Sequence, residues 1–98
     1  MACTVYQARW HAYLARLRPA PSSAGAWRTT YNVSAMVLAA SEDKTYRGGF
    51  VASPGKPWAW ANVLQHFPVY HEVWSRDLYQ IATALIAMDD RAAARRAL

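Results

Sequence analysis

An all-α chain of about four helices joined by long loops is what this sequence predicts. Two observations predict it. Apolar residues recur at helical spacing in three separate stretches, and an alanine-rich stretch from Arg91 to Leu98 follows them. Chain-breaking segments fall between the stretches: Pro19-Ala20-Pro21-Ser22-Ser23-Ala24-Gly25, Gly48-Gly49 and the region around Pro68. No internal repeat or low-complexity tract is present.

In the first stretch, Thr4-Val5-Tyr6-Gln7 reads as a capping box, a hydroxyl at the N-cap with Gln three residues on. Tyr6, Trp10, Tyr13, Leu14 and Leu17 then form one apolar stripe. The Pro/Ser/Gly segment stops this helix and reads as a linker, so residues 1–26 form a leading helix and its connection.

A second helix runs from about Trp27 to Ser41. Tyr31, Ala35, Leu38 and Ala39 share one face, while Val33, Met36, Val37 and Ala40 make it apolar nearly all round. Such a helix is expected to be buried on most sides. Asn32 and Ser34 are its polar exceptions, and local bonding to backbone explains both. Glu42 to Pro57 is irregular, with Phe50-Val51-Ala52 long enough only for a short extended segment.

A third helix begins at Ser75 or Arg76, with Leu78, Ile81, Ala82, Leu85 and Ile86 on its apolar side. Asp89-Asp90 ends it, and Asp90 can cap a fourth helix from Arg91 to Leu98. That last helix carries no Gly, Pro or polar tail, and the expectation is that the chain is truncated within it.

The 98 residues make one domain at most, or a piece of one. Yet 54% of them are hydrophobic, with 5 Trp and 6 Tyr, an apolar share above the usual. The excess points to a larger body that covers these side chains, or to self-association through apolar helix faces. The net charge of +5 is compatible with nucleic acid or an anionic membrane surface. The positive residues are scattered, however, and only Arg91, Arg95 and Arg96 cluster, as a solvated helix face would. Cys3, alone, makes neither an intramolecular disulfide nor a zinc site. No apolar run has the length of a membrane span, and no secretory signal opens the chain, which leaves localisation open with the cytoplasm as default.

The stretch Val69-Tyr70-His71-Glu72-Val73-Trp74-Ser75-Arg76-Asp77-Leu78 holds the densest chemistry. It places an aromatic ring, a guanidinium and a carboxylate where a helix begins. An aromatic face covers the C–H face of a pyranose, while Arg donates to its hydroxyls and Asp accepts from them. A structural account fits equally: Asp77 at the positive end of the helix dipole, Trp74 in the core. Glu42 and Asp43 are adjacent carboxylates, the residue type of glycosidase acid/base pairs. Neighbours in sequence seldom face one substrate, and a solvated helix terminus is the reading preferred. His66 and His71 lack a third ligand at metal spacing, and His11 sits on an Arg-rich helix, so no metal site is predicted. Trp58 and Trp60 beside Pro57 are a candidate aromatic platform for sugar or single-stranded nucleic acid, or else packing anchors.

Three segments together resemble the start of the catalytic domain of glycoside hydrolase family 15, the glucoamylase family. They are Ser34-Ala35-Met36-Val37-Leu38 through Glu42-Asp43-Lys44-Thr45, then Val51-Ala52-Ser53-Pro54 to Pro57-Trp58, then Tyr70-His71-Glu72-Val73-Trp74-Ser75-Arg76-Asp77-Leu78. The resemblance covers roughly Trp27 to Leu98 and implies that residues 27–98 are the N-terminal part of an (α/α)6 barrel. It implies an inverting, exo-acting α-glucosidase without a cofactor, with an α-glucan or glucose-containing oligosaccharide as substrate. Arg76 and Asp77 would bind the hydroxyls of the terminal glucose far from the scissile bond. Trp74 would line the same subsite, and Tyr70 would stand near the developing oxocarbenium ion. The general acid and base of the family are glutamates far downstream, so no catalytic residue is expected here. Val63-Leu64-Gln65-His66-Phe67-Pro68 departs from the polar loop common in relatives, and Asp89 stands where a helix-ending Gly is common. The alternative from another class is a small basic, Trp-rich module that binds glycan or nucleic acid.

Overall fold

The computed structural model describes residues 1–54 and 72–98. Among these residues the chain is all-α, as the periodicity predicts. Its elements are α1 (Ala2–Arg16), a 3-10 helix (Ser22–Trp27), α2 (Arg28–Ala40), α3 (Ser75–Ala87) and α4 (Arg91–Ala97). The tightest pairing is α3 against α4; α2 rests on α1, on the 3-10 helix and on α3.

The core is small. Leu17, Ala35, Phe50, Leu85, Met88, Ala93 and Ala94 form one buried cluster, with Tyr13, Leu14, Tyr31, Leu38, Leu78, Ile81 and Ala97 packed at its edge. The apolar stripe of α1 enters this cluster only through its C-terminal half. Its other half carries a ladder of perpendicular rings, Tyr6 on Trp10 and Trp10 on Tyr13, with centroids 6.2 and 5.8 Å apart. The predicted capping box is not formed: α1 starts at Ala2, and Thr4 lies within its first turn with no side-chain cap on the helix. The Val5 N–H already reaches the Met1 carbonyl, so helical bonding begins ahead of Thr4.

The second helix is less covered than its composition suggests. Ala35 is fully buried, but Val33 and Val37 remain about half exposed at 51% and 47%. Ile86, expected on the inner side of α3, is 59% exposed. Ser34 behaves as expected, its hydroxyl donating to the Thr30 carbonyl.

The end of α3 is a Schellman motif. The Asp90 N–H bonds the Leu85 carbonyl and the Asp89 N–H bonds the Ile86 carbonyl. Asp89 occupies the left-handed position, φ 68°, that glycine usually takes. Asp90 then caps α4 as the sequence predicts, accepting from the Ala93 N–H at 3.2 Å. Its second oxygen accepts from the Tyr13 hydroxyl at 3.0 Å, which fastens α1 to the start of α4. The Arg18 N–H, donating to the Met88 carbonyl, adds a second tie.

Candidate functional site

The loop after α2 folds back on itself. Glu42 and Phe50 form an isolated antiparallel bridge, flanked by Asp43 N–H to Gly49 O and Val51 N–H to Ser41 O. The turn at its tip is held by Asp43, whose carboxylate accepts the Thr45 and Tyr46 N–H groups and is thereby held below the usual carboxylate range. Phe50 drops from the loop into the core and is fully buried. This is the short extended segment predicted from Phe50-Val51-Ala52.

Glu42 is not the solvated helix terminus that the sequence suggests. It is 5% exposed. Arg96 meets it with two parallel bonds, Nε to Oε1 at 2.7 Å and Nη2 to Oε2 at 2.9 Å. Arg47 adds a contact to Oε2 at 2.9 Å, and the Gly48 N–H donates to Oε1 at 3.0 Å. Burial alone would push the Glu42 carboxyl up. The Arg96 and Gly48 hydrogen bonds and the charges of Arg96 and Arg47 outweigh it and hold the carboxyl below its ordinary value. Arg96, read from the sequence as part of a solvated cluster, is thus the cation paired with a buried carboxylate. Three arginines among alanines in a short helix give no sign of which one turns inward. The only hint was Glu42 itself, the first acid in the chain.

The polar cleft beside this pair, about 330 Å3, is lined by Arg16, Lys44, Arg47 and Arg96 with Glu42 and Asp90. Its cations are already engaged. Arg47 and Arg96 pair with Glu42, Lys44 donates to the Ala39 and Glu42 carbonyls, and Arg16 stands over the Tyr13 ring.

The start of α3 is seated on the same loop. The Ala52 N–H donates to the Glu72 carbonyl at 3.1 Å, and the Val73 side chain lies against Gly49. Trp74 follows in an extended conformation, φ −106° and ψ 131°, as the N-cap of α3, and its carbonyl accepts the first intrahelical bond from Leu78. Arg76 and Asp77 are the second and third residues of the helix. Trp74 and Arg76 are exposed and Asp77 is half-buried. Leu78 and Ile81 bring the following turns onto the core. Among the described residues, no side-chain hydrogen bond or ion pair engages Arg76 or Asp77. Tyr70, Trp58, Trp60, His66 and His71 lie outside the described residues. His11 is exposed, and no group of metal-ligating side chains occurs among the described residues. No helix among them is long and apolar enough to cross a membrane.

Helices, loop and helix entry carry the described part of the segments on which the family resemblance rests, residues 55–58 and 70–71 of which lie outside the described residues, and comparison with known proteins agrees. The sequence profile of Glycosyl hydrolases family 15 matches residues 25–98. The chain belongs to this family. It is similar to a glucoamylase from Clostridium sp. (strain G0005), with 45% identity over 74 residues. That alignment covers 76% of this chain and 10% of the glucoamylase. No solved structure matches the chain.

Proposed function

We propose that this chain is the sugar-gripping part of a glucoamylase-like catalytic domain, one that releases glucose from the non-reducing ends of α-glucans with inversion. Residues 27–98 supply the first helices of its barrel, and residues 1–26 lead into them. Arg76 and Asp77 bind the hydroxyls of the terminal glucose far from the scissile bond, and Trp74 covers the sugar's apolar face. Tyr70, on the family resemblance alone, is the fourth member of the group.

The observation that supports this best is the state of Arg76 and Asp77. They stand together on the first turn of α3 beside Trp74, which is 39% exposed, inside the family match, with no partner engaging either charge among the described residues. Arg47 and Arg96 differ from Arg76 in being committed to Glu42. Glu42 itself is a poor acid/base candidate. A carboxyl held ionised between two arginines has no proton to give near neutral pH. On the family resemblance, the catalytic glutamates of this reading lie outside the chain. The nucleic-acid module has less support, because the cations of the one strongly basic cleft described above are already paired.

Calorimetric titration with maltose tests the reading. The native chain should show weak, saturable binding that Asp77→Asn or Arg76→Gln removes. Equal binding by native chain and both variants would overturn it.

A further inference from the structure

We propose that Glu42 is a positioning residue for the sugar-binding group at the start of α3. The inference rests on the functional reading above for the role of that group, but the geometry behind it stands by itself.

A short series of contacts joins the two places. Glu42 accepts the Gly48 N–H and binds Arg96 through both oxygens, which presses the tip of the loop against the end of α4. The approach is close. Gly48 has φ 96°, and a Cβ there would lie 1.9 Å from the Arg96 carbonyl oxygen. Gly49 comes next and takes the Val73 side chain against its backbone. Three residues further, the Ala52 N–H holds the Glu72 carbonyl. Glu72 and Val73 are thus fixed to the strand-like segment that follows the turn, and Trp74 is the next residue. The helix carrying Arg76 and Asp77 starts from this anchored pair.

The flank of α3 rests on the helix that carries the same cation. α4 packs on α3, and Arg96 is the penultimate residue of α4. Glu42 therefore bears on α3 from two directions: through the loop at its N-terminus, and through α4 along its flank. No group of Glu42 is left over for a ligand. Its carboxylate is 4% exposed and both oxygens are bonded, so any effect on sugar must pass through position. Polar groups binding a sugar lose affinity steeply when displaced, since each hydrogen bond depends on distance and angle.

Hydrogen exchange read by mass spectrometry, combined with maltose titration, tests this on the whole chain. The variants are Glu42→Gln and, in case the neutral amide unfolds the loop entirely, Arg96→Lys, which keeps the charge but not the fork. Met88→Ala, a core change that removes none of the Glu42, Gly48 and Ala52 hydrogen bonds, supplies a control for general destabilisation. Glu42→Gln and Arg96→Lys should raise exchange at Ala52 and over residues 73–78 by about tenfold beyond the control, and weaken maltose binding by about tenfold. Exchange no faster than in Met88→Ala would overturn the proposal whatever the sugar does. So would faster exchange with unchanged maltose affinity in a chain whose Asp77→Asn variant has lost binding. Faster exchange in a chain that never binds maltose would instead refute the functional reading and leave the positioning of α3 intact.

Discussion

Glu42 and Arg96 stand 54 positions apart and meet in two parallel hydrogen bonds of 2.7 and 2.9 Å. The pair joins the end of α2 to the end of α4 across the small core. Removing one partner of such a pair leaves a buried charge without compensation, which costs about 3–5 kcal/mol in a fully buried case. Arg96 keeps a third of its side chain in solvent and Arg47 remains as a second partner. Arg96→Ala should therefore cost about 2 kcal/mol, below the range for full burial. Arg47→Ala, removing a half-exposed partner, should cost under about 1 kcal/mol. Urea denaturation of the two variants checks the order.

The same pair sets the acid limit of stability. The folded-state pKa of Glu42 lies below its ordinary value, so the unfolded chain binds the proton more readily. The contribution is complete above the unfolded value of about 4.3 and is lost as pH falls through the lowered folded value. Asp43 acts in the same direction through the Thr45 and Tyr46 N–H groups. Glu42→Gln should lower stability near neutral pH and flatten its decline below about pH 4. Melting temperatures from pH 2 to 7 read both effects, and an unchanged acid slope would contradict the assignment.

Tyr13 sets a limit at the other end. Burial and the bond to Asp90 push its phenol up, so the folded chain holds that proton more tightly than the unfolded one. Its contribution is complete below the unfolded value of about 10 and is lost as pH rises above it. Tyr13→Phe should cost about 1 kcal/mol at neutral pH and remove this alkaline loss. Thermal melts between pH 8 and 11 separate the variant from the native chain.

Two glycines with positive φ should answer differently to the same change. Gly25, at φ 49° and ψ −119°, has open space where a Cβ would go, so Gly25→Ala should cost only the backbone strain of about 1–3 kcal/mol. Gly48→Ala adds a collision with the Arg96 carbonyl on top of that strain. Its loss should exceed that of Gly25→Ala by at least about 2 kcal/mol. Denaturation midpoints compare them directly, and equal losses would mean that the loop does not press on α4 as described.

The helices were legible because their signals are local. The repeat of Leu78, Ile81 and Leu85 and the capping role of Asp90 depend only on near neighbours. What stayed hidden was long-range. Nothing near Glu42 in the sequence announces that an arginine 54 positions on will neutralise it, and a carboxylate at a helix end is usually solvated. The exposure of Val33, Val37 and Ile86 was hidden for a related reason, since periodicity marks a face as apolar but not what stands against it. The candidate site was legible as a group of residue types and as a family resemblance. The seat beneath it, Gly49 against Val73 and Ala52 bonded to Glu72, was not, because backbone pairing leaves no trace in side-chain chemistry.

The most direct test of the sugar-binding reading is a double-mutant cycle between Asp77 and one hydroxyl of the ligand. Maltose and an analogue lacking a hydroxyl far from the glycosidic bond are titrated into native chain and Asp77→Asn, with glucose release followed in the same samples. A hydrogen bond to a charged group contributes about 1.5–3 kcal/mol, so the analogue should bind the native chain at least about tenfold more weakly than maltose. Asp77→Asn should bind maltose and the analogue with nearly equal affinity, and no sample should release glucose. The same discrimination in both chains, or glucose release that disappears on changing Asp77, would contradict the account.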